Sequence, residues 1–280
     1  MTIEWVLIPV TLIVLTIATY TDLKTREVPD WLNYGFLFAV FGIRAIFSLE
    51  NGWSVLLAGI LGFALCFILA CLFYYTKQWG GGDSKLLMGM GAALGISYPL
   101  INESFTLLWF FLAVLFIGSF WGLIWMIFKA YPQRKACKNL ALKYCAGHKT
   151  LHFSLALLTV LFIIPIVYFP LLWPLLLFPL GLFYLFVFIT SVEKTSFIHA
   201  IPLSKATEGD WLVEDVHHLG KCILTAKTLE KEDLIKLKHL AISTIVIKEG
   251  VPFTPSFLAS YMLILLGKDA FTLILSAFFT

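Results

Sequence analysis

Eight apolar stretches separated by short polar breaks set the pattern of this chain. They run Ile3–Tyr20, Trp31–Leu49, Trp53–Tyr75, Ser84–Tyr98, Phe105–Phe128, Leu151–Phe169, Leu171–Thr190 and from about Phe253 to Leu266. Several exceed the ~20 apolar residues that cross a bilayer as a helix. None shows the two-residue alternation of a lipid-facing barrel strand. The stretch Leu151–Thr190 is too long for one helix, and Pro165, Pro170, Pro174 and Pro179 give it places to bend or turn. It therefore reads as two spans or one broken helix. The tail from Ala270 to Thr280 is too short to span alone.

Residues 191–252 break the pattern. They hold most of the acidic residues. Trp211–His217 and Ala241–Lys248 read as strands from β-branched content and alternation, with Lys221–Ala226 a possible third. Thr228 is placed to cap a helix through about Leu240, with Leu229, Leu234, Leu237 and Leu240 for an apolar face. The segment is too small for much of a core and should lean on the membrane helices. The predicted fold is thus an all-α polytopic membrane protein of about eight transmembrane helices with a small α+β cytosolic insert. Its parts are a helical domain over 1–190, the insert over 191–252, and a final span and tail over 253–280.

Charge then orients the chain. With both ends outside, the inner segments are 21–30, 76–83, 129–150 and 191–252. Lys24 and Arg26 fall in the first and Lys77 in the second. Lys129, Arg134, Lys135, Lys138, Lys143 and Lys149 fall in the third, and a further set of lysines in the fourth. The outer turns at Glu50–Gly52, Pro99–Glu103 and Pro170 carry no Lys or Arg, so only Arg44 and Lys268 depart from the rule. Composition agrees: 60% of residues are hydrophobic and 13% charged, and the mean hydropathy is +0.91. A soluble domain carries about 25% charged residues. The start, M-T-I-E-W, lacks a basic region and a cleavage site, which predicts a retained first helix in a multi-pass plasma-membrane protein. The five cysteines form no C-x-x-C pair and are expected to remain free.

The chemistry concentrates in W-G-G-G-D-S-K-L-L-M, Trp79 to Met88. Gly80, Gly81 and Gly82 precede Asp83 and offer close backbone approach, with φ > 0 available at Gly82. An ionisable group at the mouth of a membrane helix is costly to keep. Asp22, in T-Y-T-D-L-K-T-R-E-V-P-D, lies at the same predicted face. Two carboxylates held close share one proton. The ionised one can act as base on a water and the protonated one as acid toward a carbonyl. Such a pair predicts a bell-shaped pH dependence and no metal, since Cys137, Cys145, His148 and His152 fit no common zinc spacing. His217 and His218 read as solvated, and Lys85 as a snorkelling lysine.

Asp22 with Val28-Pro29-Asp30, joined to Gly80, Gly82, Asp83 and Lys85, resembles the GxGD aspartyl membrane proteases. More narrowly it resembles the type IV prepilin peptidases and their archaeal preflagellin peptidase branch. Lys248 to Phe257, K-E-G-V-P-F-T-P-S-F, is also similar to that branch. The likeness covers 15–95 well and 205–265 loosely, and the spans over 105–190 depart from it. It implies an endopeptidase that cuts a short basic leader from prepilin-like substrates at the cytosolic face. Asp22 and Asp83 would be catalytic, with Gly80, Gly81, Gly82 and Lys85 shaping the site. The leader would dock near Glu27, Asp30 and the acidic insert. No paired C-x-x-C exists here, so neither methyltransfer nor zinc is implied. An ion-coupled transporter would place its acids at the midplane rather than at one face. A presenilin-like protease would carry a P-A-L segment, for which Pro255-Ser256-Phe257 is a poor stand-in.

Overall fold

The computed structural model describes residues 2–97, 105–169, 171, 173–218, 221–240 and 242–267. The predicted outer turn at Pro99–Glu103, Pro170, Lys268 and the tail lie outside the described residues, as does Ala241. Among the described residues, five helices are long and apolar enough to cross a membrane: Glu4–Thr25, Asp30–Asn51, Ser54–Tyr75, Thr106–Ala130 and Phe178–Phe197. The other three expected spans correspond to shorter helices, Gly81–Leu94, Lys149–Leu161 and Thr254–Leu265. Large apolar side chains stand exposed around them, among them Phe38, Ile68, Phe128 and Phe153, as suits lipid contact.

The chain forms two compact units. One comprises the residues up to Leu123 together with those from Val251, and the other runs Ile124–Gly250. The first holds α1 (Glu4–Thr25), α2 (Asp30–Asn51), α3 (Ser54–Tyr75), α4 (Gly81–Leu94), most of α5 (Thr106–Ala130) and α11 (Thr254–Leu265). Its middle is α4, whose Ser84, Leu86, Leu87, Gly89, Met90, Gly91, Ala92 and Ala93 are all buried. At ~1.5 Å per residue α4 is about 21 Å long, short of the ~30 Å hydrocarbon core. Helix ends at such depth must be satisfied by protein. Arg44 does this for the carbonyl end: its Nε donates to Ala92 O (2.7 Å) and its Nη2 to Ala93 O (2.9 Å), while its Nη1 donates to Val55 O at the start of α3 (2.8 Å). Arg44 is therefore a buried cap, which accounts for its departure from the charge rule. Against α3, Gly62 and Gly91 bring the two backbones together so closely that a Cβ on either would collide with the other's carbonyl oxygen.

The second unit holds α6 (Arg134–Gly147), α7 (Lys149–Leu161), α8 (Ile163–Tyr168), α9 (Pro174–Val192), α10 (Lys231–His239) and, among the described residues, five strands. The expected basic loop over 129–150 is largely the helix α6. In the strand region, β5 (Thr244–Lys248) lies between β1 (Ile198–Pro202) and β2 (Trp211–Leu212), antiparallel to both. β3 (Val216–His218) and β4 (Lys221–Leu224) form a separate hairpin. The expected strand Trp211–His217 is thus split between two sheets, and β1 was not foreseen. Leu203, Leu212, Leu224, Leu229, Leu237, Ile245 and Ile247 form a core of their own, larger than expected. α10 starts later than predicted. Glu230 and Asp233 close a reciprocal capping box, while Thr228 pairs with Trp211.

Candidate active site

α1 ends at Thr25 because Arg26 adopts a left-handed conformation (φ 63°) and its N–H donates to Asp22 O (3.0 Å). Asp22 therefore sits in the last turn, one of the few charged residues that is buried, at 6% exposure. Such a carboxylate needs donors. Thr254, the first residue of α11, supplies two: its backbone N–H and its Oγ1 each donate to Asp22 Oδ2 at 2.9 Å. Lys85 and Asp30 also meet, in an ion pair at 2.6 Å, with the lysine over the Tyr34 ring.

Asp83 is half-buried and stands at the third position of α4, behind Gly80 as the N-cap. From there its carboxylate faces the Gly80 backbone amide and feels the charge of Asp22, so the two acids lie within electrostatic reach. The start of α4 packs against Val28 in the link before α2 and against the first turn of α2. Asn33 Nδ2 reaches Gly82 O at 3.4 Å, and a Cβ on Gly82 would stand 3.2 Å from Val28 Cβ. Gly82 thus admits this chain's own Val28. Gly82 is helical, and the positive-φ glycines among the described residues are Gly52, Gly95, Gly209 and Gly267, so the expectation of φ > 0 at Gly82 is corrected. A Cβ at Gly80 or Gly81 would meet nothing closer than 3.8 Å.

Glu27 is exposed in the link between α1 and α2, whereas the charge of Asp30 is already matched by Lys85. Lys85 is therefore a tie between α2 and α4 rather than a free snorkelling lysine. The residue that sequence reasoning passed over is Thr254. It lies in the K-E-G-V-P-F-T-P-S-F stretch noted for its likeness, but no role was read there. Around it, Trp121 Nε1 donates to Pro252 O (2.7 Å) and the Phe253 ring packs against Gly118 and Trp79. Among the described residues, the group able to offer three metal donors is Asp215, His217 and Cys222 on the β3–β4 hairpin, all exposed. Cys137, Cys145, His148 and His152 form no such group there. His152 instead bonds Tyr184 OH (2.8 Å), and His148 Nδ1 lies 2.9 Å from Tyr144 O.

Comparison with known proteins points to the same stretch. Residues 9–127 match the type IV leader peptidase family. A preflagellin peptidase of Methanococcus maripaludis (strain C6) is 33% identical over 100 residues, covering 34% of this chain and 41% of the relative. One of Methanococcus voltae is 31% identical over 112 residues, 37% and 48% of the two. One of Methanocaldococcus jannaschii is 34% identical over 83 residues, 29% and 34%. The matched stretches thus span less than half the length of these relatives. Residues 9–127, the stretch similar to the type IV leader peptidase family, supply both Asp22 and Asp83.

Proposed function

We propose that this protein is a membrane aspartyl endopeptidase that removes the short basic leader of prepilin- or preflagellin-like precursors. Its catalytic pair would be Asp22 and Asp83, with a water as nucleophile and no metal or cofactor. The observation that supports this reading is that Asp22 at the end of α1 and Asp83 at the start of α4 lie within electrostatic reach, both inside the region that matches the leader peptidase family. Like charges at close range favour one shared proton, the state needed for one acid and one base.

On this reading the pair works at the cytosolic face of the plasma membrane, with 191–252 a cytosolic insert and eight apolar helices in or against the bilayer. The Lys and Arg bias supports that orientation. A basic leader would meet Glu27, the acid of the link region that has no matched lysine in the ion pairs of this site. Gly80 and Gly81, where a Cβ would make only ordinary contacts at 3.8 Å, leave room for an extended backbone, while Gly82 packs tightly on Val28. The test is cleavage of a synthetic precursor by the purified full chain. Asp22→Asn and Asp83→Asn should each abolish the cut while the protein still inserts and folds. Substantial cleavage by either variant would overturn the proposal.

A further inference from the structure

The two aspartates stand in unlike surroundings, and the difference runs through a residue the reaction itself does not require. α11 points its N-terminus at Asp22. The first N–H of that helix and the hydroxyl of the same residue both donate to Oδ2, at 2.9 Å each. A helix N-terminus adds favourable potential for a negative charge. With two donors fixed on Oδ2, that oxygen is a poor place for a proton, and Oδ1 is the one left to exchange it. Asp83 has a backbone amide as its donor and half-open surroundings. The Thr254 hydroxyl also lies 3.3 Å from Ala18 O, but it has one proton, and the shorter bond is to Asp22.

We infer that Thr254 is a positioning residue that makes the pair inequivalent: Asp22 is kept as the charged base, working through Oδ1, and Asp83 as the proton carrier. This rests on the aspartyl reading above. In the forward step Asp22 Oδ1 takes a proton from water as the water oxygen bonds to the peptide carbonyl carbon. Asp83 gives its proton to the carbonyl oxygen, leaving a neutral gem-diol. Asp22 then passes its proton to the amide nitrogen as the C–N bond breaks, and Asp83 recovers a proton from a gem-diol hydroxyl. Both carboxyls end as they began. The segment that delivers Thr254 is braced for the task by the Trp121–Pro252 hydrogen bond and by the Phe253 ring against Gly118.

The experiment compares Thr254→Val, Thr254→Ala and Thr254→Ser in the full-length purified protein, with kcat, KM and Tm measured for each. Val and Ala remove the hydroxyl donor and retain the N–H. A lost hydrogen bond to a charged group predicts kcat lower by about 10- to 100-fold, with KM changed by less than about twofold. Thr254→Ser should return kcat to within about threefold of the parent. A packing role would make Tm, rather than kcat, follow the hydroxyl series. Wild-type kcat in both Val and Ala variants, a loss carried by KM, or a serine variant as impaired as the alanine one would overturn the inference. If Asp22→Asn and Asp83→Asn are inactive while Thr254→Val is normal, this inference fails and the aspartyl reading stands. If the asparagine variants are active, the aspartyl reading itself fails.

Discussion

Asp22 and Asp83 make the same functional group from opposite local structures. Asp22 closes a long helix, is almost fully buried, and is gripped on one oxygen by a residue far along the chain. Asp83 opens a short helix, behind glycines, with its donor three residues away in sequence. The first environment is built by tertiary packing and the second by local backbone geometry. A pair meant to divide the acid and base roles needs such unlike environments, because identical ones would leave the shared proton unassigned.

The largest expected effects come from removing either member. Asp22→Asn and Asp83→Asn should each lower kcat by about 10³-fold or more, since each abolishes a general acid–base function. A large loss at one position with near-normal turnover at the other would reduce the pair to a single catalytic acid. Next come the glycines. Gly82→Val should cost about 10-fold or more in kcat, because its side chain must press on Val28 and part the starts of α2 and α4. Gly81→Ala adds only an ordinary contact with Tyr74 at 3.8 Å and should stay within about threefold of the parent. Equal losses at both would mean that substrate access, not the Val28 contact, governs this turn.

Much of the first environment was hidden in the sequence. Asp83 was legible because its glycines and the apolar run after it are neighbours in the chain. Asp22 was legible because orientation placed it at the same predicted face. Thr254 was not, because its partner lies 232 residues away and no periodicity links them. Arg44 was opaque in the same manner: it stood out only as a departure from the charge rule, and its role shows once α4's carbonyls are seen to meet it. In the other unit the strands were placed near the right residues, but their division between two sheets depends on pairing partners. The start of α10 was missed because the Glu230–Asp233 box competes with Thr228, and both were present in the sequence.

The smaller effects lie outside the pair. Burial opposes the Asp233 charge, but the Lys227 ammonium at 2.8 Å and the Glu230 N–H outweigh it and hold the carboxyl below its ordinary value of 3.8. A depressed value stabilises the fold above the ordinary one, and the gain disappears as pH falls through the folded value. Asp233→Asn should therefore cost about 1 kcal/mol at neutral pH, seen as faster amide exchange in α10. The difference from the parent should shrink as pH falls below 3.8. Smallest of all, chelators and Cys222→Ser should leave kcat within about twofold of the parent, because no step uses Asp215, His217 or Cys222. Inhibition by a chelator that zinc reverses would move the chemistry away from the aspartates.

The central claim is that Asp22 and Asp83 act as one unit on one peptide bond. Single-turnover cleavage of a synthetic precursor by the parent, Asp22→Asn, Asp83→Asn and the double variant tests it most directly. Groups that act together lose their contribution once, so the double variant should be no more than about threefold slower than the slower single one. Losses that multiply, or appreciable cleavage by either single variant, would contradict the account.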